Sequence, residues 1–253
     1  MKYYIITGTS SGIGEALAKR ILNKEEKNQV ISLSRRGNME LEKLAEIRKK
    51  SFCFYQLDLR ETEKIEVKIK NIFQNITAAQ GVYLINNAAI LTPVAPVEKN
   101  TEREIVDHMT TNLISPMILT SSFIRHTSVL HCDKRILNIS SGSAKYLLPS
   151  QSCYSTSKAG LDSFTKSVSL EQKEKRQPVR IASVYPGIIE TKLQKEIRSV
   201  HKDDFPLVHL FQEAYEKGEL QTADETANLL LELLFHEEFG EEEIVENLAN
   251  AKK

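Results

Sequence analysis

The chain has 253 residues, 41% of them hydrophobic and 27% charged, which is enough apolar material for one α/β domain with a sizeable core. Thirty-four basic side chains balance thirty-four acidic ones, so no global field draws the protein to nucleic acid or to an anionic membrane, and its expected partners are small molecules or copies of itself. Three cysteines, Cys53, Cys132 and Cys153, form neither an even framework nor a C-x-x-C pair, which speaks against a disulfide scaffold or a structural zinc site.

Along the chain, short β-branched runs alternate with longer amphipathic stretches, the pattern of a parallel sheet wrapped by helices. Strands are predicted at 2–7, 29–34, 52–57, 82–86, 135–140, 179–184 and, weakly, 243–247. Helices are predicted at 12–24, 39–49, 61–75, 101–126, 151–175 and 222–235. No linker or internal repeat divides the chain, so residues 1–253 form a single domain, a doubly wound parallel sheet of about seven strands with helices on both faces. The stretch 191–221 interrupts the alternation after the sixth strand, and an insertion there reads as a helical lid over a ligand crevice. The opening "MKYYIITG" is too short for a secretion signal and no apolar stretch approaches about 18 residues, so a soluble cytoplasmic protein is expected.

The first strand runs into "TGTSSGIG" (7–14) and then a helix. A strand, a glycine-rich turn and a helix amino terminus bring backbone N–H groups and the positive end of the helix dipole to one place, which suits a pyrophosphate and makes the sheet Rossmann-like. Gly8 supplies the turn, Gly12 close backbone approach and Gly14 helix-on-strand packing, with Ser10, Ser11 and Ile13 between them. Glycines also punctuate turns that bind nothing, and the spacing G-x-x-x-G-x-G is not the commoner one, so the context carries the reading. The second strand ends in "LSRR": Ser34, Arg35 and Arg36 offer no carboxylate for a ribose 2′-hydroxyl but two guanidiniums suited to the 2′-phosphate of NADP, unless they form a merely solvated turn.

In "YSTSK", Tyr154 and Lys158 stand four residues apart, on one face of a helix. Alone this is an ordinary half-exposed helix face; beside a substrate, the ammonium is expected to lower the phenol's pKa so that it can exchange protons. Cys153 next to it points elsewhere and reads as a buried small apolar residue. His126, His131 and Cys132 do not converge on one helical face, so no metal site is assigned and all three are expected at the surface.

Taken in order, "TGTSSGIG", Asp58-Leu59, "NNAA" (86–89), Asn112, Ser141, Tyr154-x-x-x-Lys158 and "PGIIET" (186–191) resemble the motifs of the short-chain dehydrogenase/reductase family over nearly the whole chain. The resemblance implies an oxidoreductase using NADPH/NADP. It places Asp58 and Leu59 at the adenine, Asn86 and Ala88 along the adenosine ribose, and Pro186, Gly187, Ile189 and Thr191 near the nicotinamide carboxamide and phosphate. Tyr154 would be the proton donor, Lys158 would also bind the nicotinamide ribose, Ser141 would hold the substrate carbonyl, and Asn112 would bind a water that resupplies the proton. Pro116 is expected to kink the helix carrying Asn112. Ala89 stands where the family usually has glycine, and "NLANAKK" (247–253) replaces its frequent glycine-rich tail, which leaves the oligomeric state open with a homodimer favoured.

The passages "SRRGN", "APVEK", "SPMILTS", "DKRILNISSGSAK" and "QKEIRSVHKDDF" further resemble a bacterial group within that family, the benzil reductases that form (S)-benzoin, also described as sepiapterin reductases. That resemblance implies reduction of one carbonyl of an aromatic vicinal diketone, with the pterin side-chain carbonyl of sepiapterin as the alternative. Tyr146, Leu147, Leu148, Phe205, Leu210, Phe211 and Tyr215 are candidates for an apolar pocket, although each could be core packing. An oxidative alcohol dehydrogenase of the same family and a non-enzymatic NADP(H) sensor are the rival readings; retention of both Tyr154 and Lys158 argues against the sensor.

Overall fold

The first strand, "KYYIIT", shows how the sheet is buried on both sides. Successive side chains alternate between faces, so Tyr4 and Ile6 enter one core with Leu17, Ile21, Leu230 and Leu234, while Tyr3 and Ile5 enter a second with Ile65, Ile69, Leu119 and Phe123. In this computed structural model, residues 1–76 and 78–248 are described. Seven parallel strands, β1 (Lys2–Thr7), β2 (Asn28–Ser34), β3 (Ser51–Gln56), β4 (Gly81–Asn86), β5 (Asp133–Ile139), β6 (Arg180–Val184) and β7 (Ile244–Val245), lie in the order β3-β2-β1-β4-β5-β6-β7. The expected seventh strand at 243–247 is therefore a two-residue edge on β6, and most of "NLANAKK" lies outside the described residues.

The helices are α1 (Gly12–Asn23), α2 (Met39–Arg48), α3 (Glu63–Gln74), α4 (Glu102–Met109), α5 (Ser115–Thr127), α6 (Ser152–Lys173), α7 (Lys192–Arg198), α8 (Val208–Glu216) and α9 (Ala223–Phe235). The first core is covered by α1, α2 and α9, the second by α3, α5 and α6. Capping explains several starts: Thr222 accepts from the Glu225 N–H at 3.1 Å while the Glu225 carboxylate accepts from the Thr222 N–H at 3.0 Å, and Thr101 with Glu104 repeats this at α4. Among the described residues no helix is long and apolar enough to cross a membrane.

The single helix expected at 101–126 is divided. Thr110–Ile114 are wound as a π-helix between α4 and α5, and Pro116 sits in the first turn of α5. Pro116 has no N–H to offer the carbonyl four residues back, that of Asn112, so the α-helical ladder fails at this point and the break precedes the proline. Two more expectations change. His126 is half-buried, stacked on Phe73 with ring centroids 5.4 Å apart and its Nε2 3.1 Å from Glu66, and Cys132 packs part-buried on the second core; His131 is exposed and Cys153 buried, as expected.

The chain builds the sheet outward from β1 in one direction, then crosses to β4 and continues in the other, and this reversal leaves a crevice at the carboxyl ends of β1 and β4. Gly14 sets its depth, because a methyl group there would collide with the Gly8 carbonyl and the Asn87 amide. Gly14→Ala is expected to lose roughly 1–3 kcal/mol or more of stability, read as a lower urea midpoint; an unchanged midpoint would contradict this packing.

Candidate active site

The crevice is a cavity of about 880 Å³. At its floor, Gly8 (φ 75°) and Gly12 (φ 61°) adopt left-handed backbone that side chains resist. Ser11 precedes α1 in extended conformation and its side chain does not cap the helix, so the first-turn N–H groups are left to the crevice. Gly8, Ser10, Ser11, Gly12 and Ile13 line the cavity, whereas Gly14 is buried beneath it. A side chain at Gly12 would meet the Thr191 methyl at 3.4 Å, so the turn and the "PGIIET" segment close on the same space. Pro186, Gly187, Ile189 and Thr191 all line it, Gly187 with φ 91° and Thr191 as the amino-terminal cap of α7.

Asn87 takes the place at the crevice that was expected of Asn86. Asn86 ends β4 with its side chain turned into the sheet, donating to Asn138 Oδ1 at 2.8 Å and Thr120 Oγ1 at 3.3 Å, and it does not line the cavity. Ala88 does, together with Asn87 and Ala89. Asn87 Nδ2 donates to the Thr7 carbonyl at 2.9 Å, and the N–H groups of Asn87 and Ala88 donate to Thr7 Oγ1 at 2.9 and 3.0 Å, which ties the β4 loop to the glycine turn. Strand alternation explains the difference, since consecutive residues face opposite ways.

At the end of β2, Ser34 is buried and donates its hydroxyl to the Arg36 carbonyl at 2.7 Å, holding a turn from which the exposed Arg35 and Arg36 border the cavity. Asp58 and the buried Leu59, which follow the neighbouring strand β3, line the cavity beside this turn. Asp58 is gripped by Arg60, 2.6 Å from Nη2 to Oδ2, and this hydrogen-bonded guanidinium holds its carboxyl below the ordinary carboxylate range. Arg60 also reaches Asp107 at 3.3 Å and lines the cavity; it is a third guanidinium at this end that the motif reading missed.

Ser141, Tyr154 and Lys158 meet at the opposite end. Ser141 Oγ accepts from the Ser143 N–H at 3.1 Å. Tyr154 stands in the first turn of α6, and Lys158, one turn on, is 3% exposed. Its ammonium donates to the Ile139 carbonyl at 2.8 Å and lies 5.7 Å from the centroid of the Tyr154 ring. The expected tuning is inverted. Burial raises the Tyr154 pKa, opposed by a hydrogen bond with Ser141, while burial pushes Lys158 down to about 8, opposed by Asp162. Helical spacing set the ammonium near the ring, and desolvation of both groups decides the shifts.

Asn112 is buried behind this group and does not line the cavity. Its Nδ2 donates to the Ile90 carbonyl at 2.8 Å and its Oδ1 accepts from the Ile90 N–H at 2.9 Å, so the side chain clamps the β4 loop. His108, four residues earlier and fully buried, escaped the sequence reading. Its Nδ1 bonds the Thr92 carbonyl at 2.7 Å, which makes Nδ1 the donor and leaves Nε2 to accept from Asn112 Nδ2 at 2.9 Å, with Ser157 Oγ 3.3 Å away. Its ring meets Tyr154 edge-on, centroids 6.0 Å apart, and burial, with Lys158 adding to it, lowers its pKa. The one available signal was its i, i+4 spacing from Asn112.

Of the apolar candidates, Tyr146, Leu148 and Phe211 line the cavity. Phe205 lies beneath as core, and Leu147, Leu210 and Tyr215 face solvent, Tyr215 under the Arg198 guanidinium at 3.9 Å. Leu91, Leu193 and Ile197 complete the wall from other elements.

A glycine-turn helix terminus and a Ser-Tyr-Lys group at two ends of one crevice in a doubly wound sheet define an oxidoreductase site of the dinucleotide-dependent kind. A family profile described as short chain dehydrogenase matches residues 2–202, and the chain belongs to that family. It is 40% identical over 247 residues to a benzil reductase ((S)-benzoin forming) of Bacillus cereus, covering 97% of this chain and 98% of that protein. It is 34% identical over 236 residues to a protein of the same description from Bacillus subtilis (strain 168), covering 92% and 93%. The crystal structure of the KRED1-Pglu enzyme superposes with a TM-score of 0.84 at 24% identity, over 97% of this chain and 100% of that one, which establishes the shared fold.

Burial of the Lys158 ammonium couples its protonation to folding. Between pH about 8 and its ordinary value near 10.5, the unfolded chain holds a proton on this lysine that the folded chain has released. Stability therefore rises with pH across that window. Relative to Lys158→Met, in which this linkage is absent, the parent protein should gain roughly 2–3 kcal/mol between pH 7.5 and 10, measured by urea unfolding at each pH; a constant difference would contradict the buried, depressed ammonium.

Proposed function

We propose that this protein is an NADPH-dependent carbonyl reductase that reduces one carbonyl of an aromatic vicinal diketone, as in the conversion of benzil to (S)-benzoin. The observation that carries the reading is the Ser141-Tyr154-Lys158 group facing a cavity end walled by Leu91, Leu148, Leu193, Ile197, Tyr146 and Phe211, in a chain 40% identical to a protein described as a benzil reductase. The cofactor assignment is supported by the left-handed glycines at the uncapped start of α1, a cradle that side chains would fill, and by Arg35 and Arg36 at the rim.

When bound, the dinucleotide supplies the hydride for the new C–H bond. The chain does the rest. Gly8, Ser10, Ser11, Gly12, Ile13 and Thr191 hold the pyrophosphate region, Asp58, Leu59 and Ala88 border the adenosine, and Arg35 and Arg36 take the 2′-phosphate. Pro186, Gly187 and Ile189 border the nicotinamide. Ser141 donates a hydrogen bond to the carbonyl oxygen and stabilises the charge that grows there. Tyr154 gives its proton to that oxygen; its burial keeps the phenol protonated and ready to donate. Lys158 holds positive charge beside the ring and favours the phenolate left behind. The Asn112 side chain is committed to Ile90, so its part in resupplying the proton falls to the backbone carbonyl that Pro116 cannot bond. The segment carrying α7 and α8 acts as the substrate lid, its apolar inner face formed by Leu193, Ile197 and Phe211. A second copy of the chain is the expected partner, and the exposed Val106, Ile114, Met117 and Leu170 on α4 to α6 and the turn between them support it.

Tyr154→Phe should lower benzil turnover by about 100-fold or more while NADPH still binds, followed by NADPH absorbance and by fluorescence titration; near-normal turnover would remove the proton-donor role. In a panel with benzil, sepiapterin and simple ketones, benzil is expected to be reduced with the highest kcat/KM. Arg35→Asp should shift preference from NADPH toward NADH by about tenfold or more in the ratio of kcat/KM values, and an unchanged ratio would overturn the 2′-phosphate contact.

A further inference from the structure

Gln151 ends the loop that begins at Ser141 and directly precedes α6, three residues before Tyr154. It is 2% exposed, and it lines the cavity. Its Oε1 accepts from the Ser143 hydroxyl at 3.3 Å, and the Ser143 N–H donates to Ser141 Oγ at 3.1 Å. One end of the amide is thus fixed by a short network that leads to the oxygen-holding serine. The other end, Nε2, has no hydrogen-bond acceptor among the described residues. Nε2 is not sealed from the cavity, so this unpartnered donor faces space in which a ligand oxygen would satisfy it.

The walls around this end are mostly hydrocarbon, from Leu91, Leu148, Leu193, Ile197 and Phe211. A vicinal dicarbonyl brings two oxygens on adjacent carbons into that space. The first goes to Ser141 and Tyr154. The second would lose its hydrogen bonds to water among leucines unless a donor next to Ser141 received it, and the Ser143 hydroxyl is already given to Gln151. We propose that Gln151 Nε2 donates a hydrogen bond to the second, unreacted carbonyl oxygen, making Gln151 the residue that selects a vicinal dicarbonyl over a simple ketone. The inference rests on the diketone reading and adds to it the source of the preference. A site built to hydrogen-bond one oxygen discriminates strongly against the analogue that lacks it.

Benzil and 1,2-diphenylethanone share a skeleton and differ by that oxygen, so they isolate the contact. In Gln151→Leu and in Gln151→Glu, which keeps an acceptor for Ser143 but loses the donor, the ratio of kcat/KM for benzil over 1,2-diphenylethanone should fall by about tenfold or more. Activity on 1,2-diphenylethanone should fall by much less than activity on benzil. Circular dichroism and NADPH fluorescence titration establish that each variant is folded, and the Glu variant carries the test if the Leu variant does not fold. An equal loss on both ketones would overturn the inference by showing that Gln151 acts only through Ser143 and Ser141, and no loss on either would overturn it as well. Parent protein that reduces 1,2-diphenylethanone but not benzil would instead overturn the diketone reading itself, and the inference with it.

Discussion

Lys158 carries its ammonium into a largely desolvated corner of the cavity, with the Ile139 carbonyl as its hydrogen-bond partner and Asp162 as the carboxylate that opposes its loss of charge. Removing a cation from water is costly unless the fold holds it by other means, and here β5 and α6 are brought together to do so. Ile139 closes β5, and Lys158 stands on the second turn of α6, so the bond between them fixes the first turn of that helix, with Tyr154, against the carboxyl ends of the central strands. The same packing turns Ser141, two residues past β5, toward the phenol. A charge that lies in a low-dielectric pocket acts on its neighbours far more strongly than one at the surface.

Around this point the site is braced by His108 and Asn112, which lie behind the cavity, and by Asn87 on its wall. His108 bonds Thr92 and Asn112, Asn112 bonds both backbone groups of Ile90, and Asn87 bonds the carbonyl of Thr7. These bonds connect the β4 loop to the π-helical turn on one side and to the glycine turn on the other. The crevice between β1 and β4 is therefore held open by polar contacts whose members are mostly buried, the kind of network that loses much of its value if one member is removed. The glycine turn and the Ser-Tyr-Lys group are set at opposite ends of one frame.

Much of this was legible in the sequence because parallel strands buried on two faces appear as continuous β-branched runs, and because the glycine turn and the Tyr154-Lys158 spacing are local patterns. The helical segments and the glycines follow from such patterns, and the placement of Ser141 beside Tyr154 follows from the family resemblance. What escaped depends on contacts between distant elements. The π-helical turn at 110–114 answers to the Asn112 clamp on Ile90 as well as to Pro116, and Arg60 matters only because Asp58 and Asp107 converge on it. Spacing announced that Tyr154 and Lys158 are neighbours but not how strongly desolvation acts on them, so the Tyr154 shift runs opposite to the direction expected. Asn86 and Asn87 differ by one residue, and the end of the strand decides which faces the crevice.

The apolar end of the cavity is assembled from a β4 loop, the loop after Ser141 and the α7–α8 segment, each contributing one to three side chains. Such a wall changes shape with small sequence changes while the Ser-Tyr-Lys group stays fixed, which is how one fold serves many substrates. The whole site depends on the desolvated ammonium beside the phenol. That desolvation is tested most directly by NMR titration of protein labelled with 13C at lysine Cε, the Lys158 resonance being identified by its absence from Lys158→Met. A single lysine signal titrating near pH 8 is the predicted result, and a Lys158 signal that titrates with the remaining lysines near pH 10.5 would contradict the account.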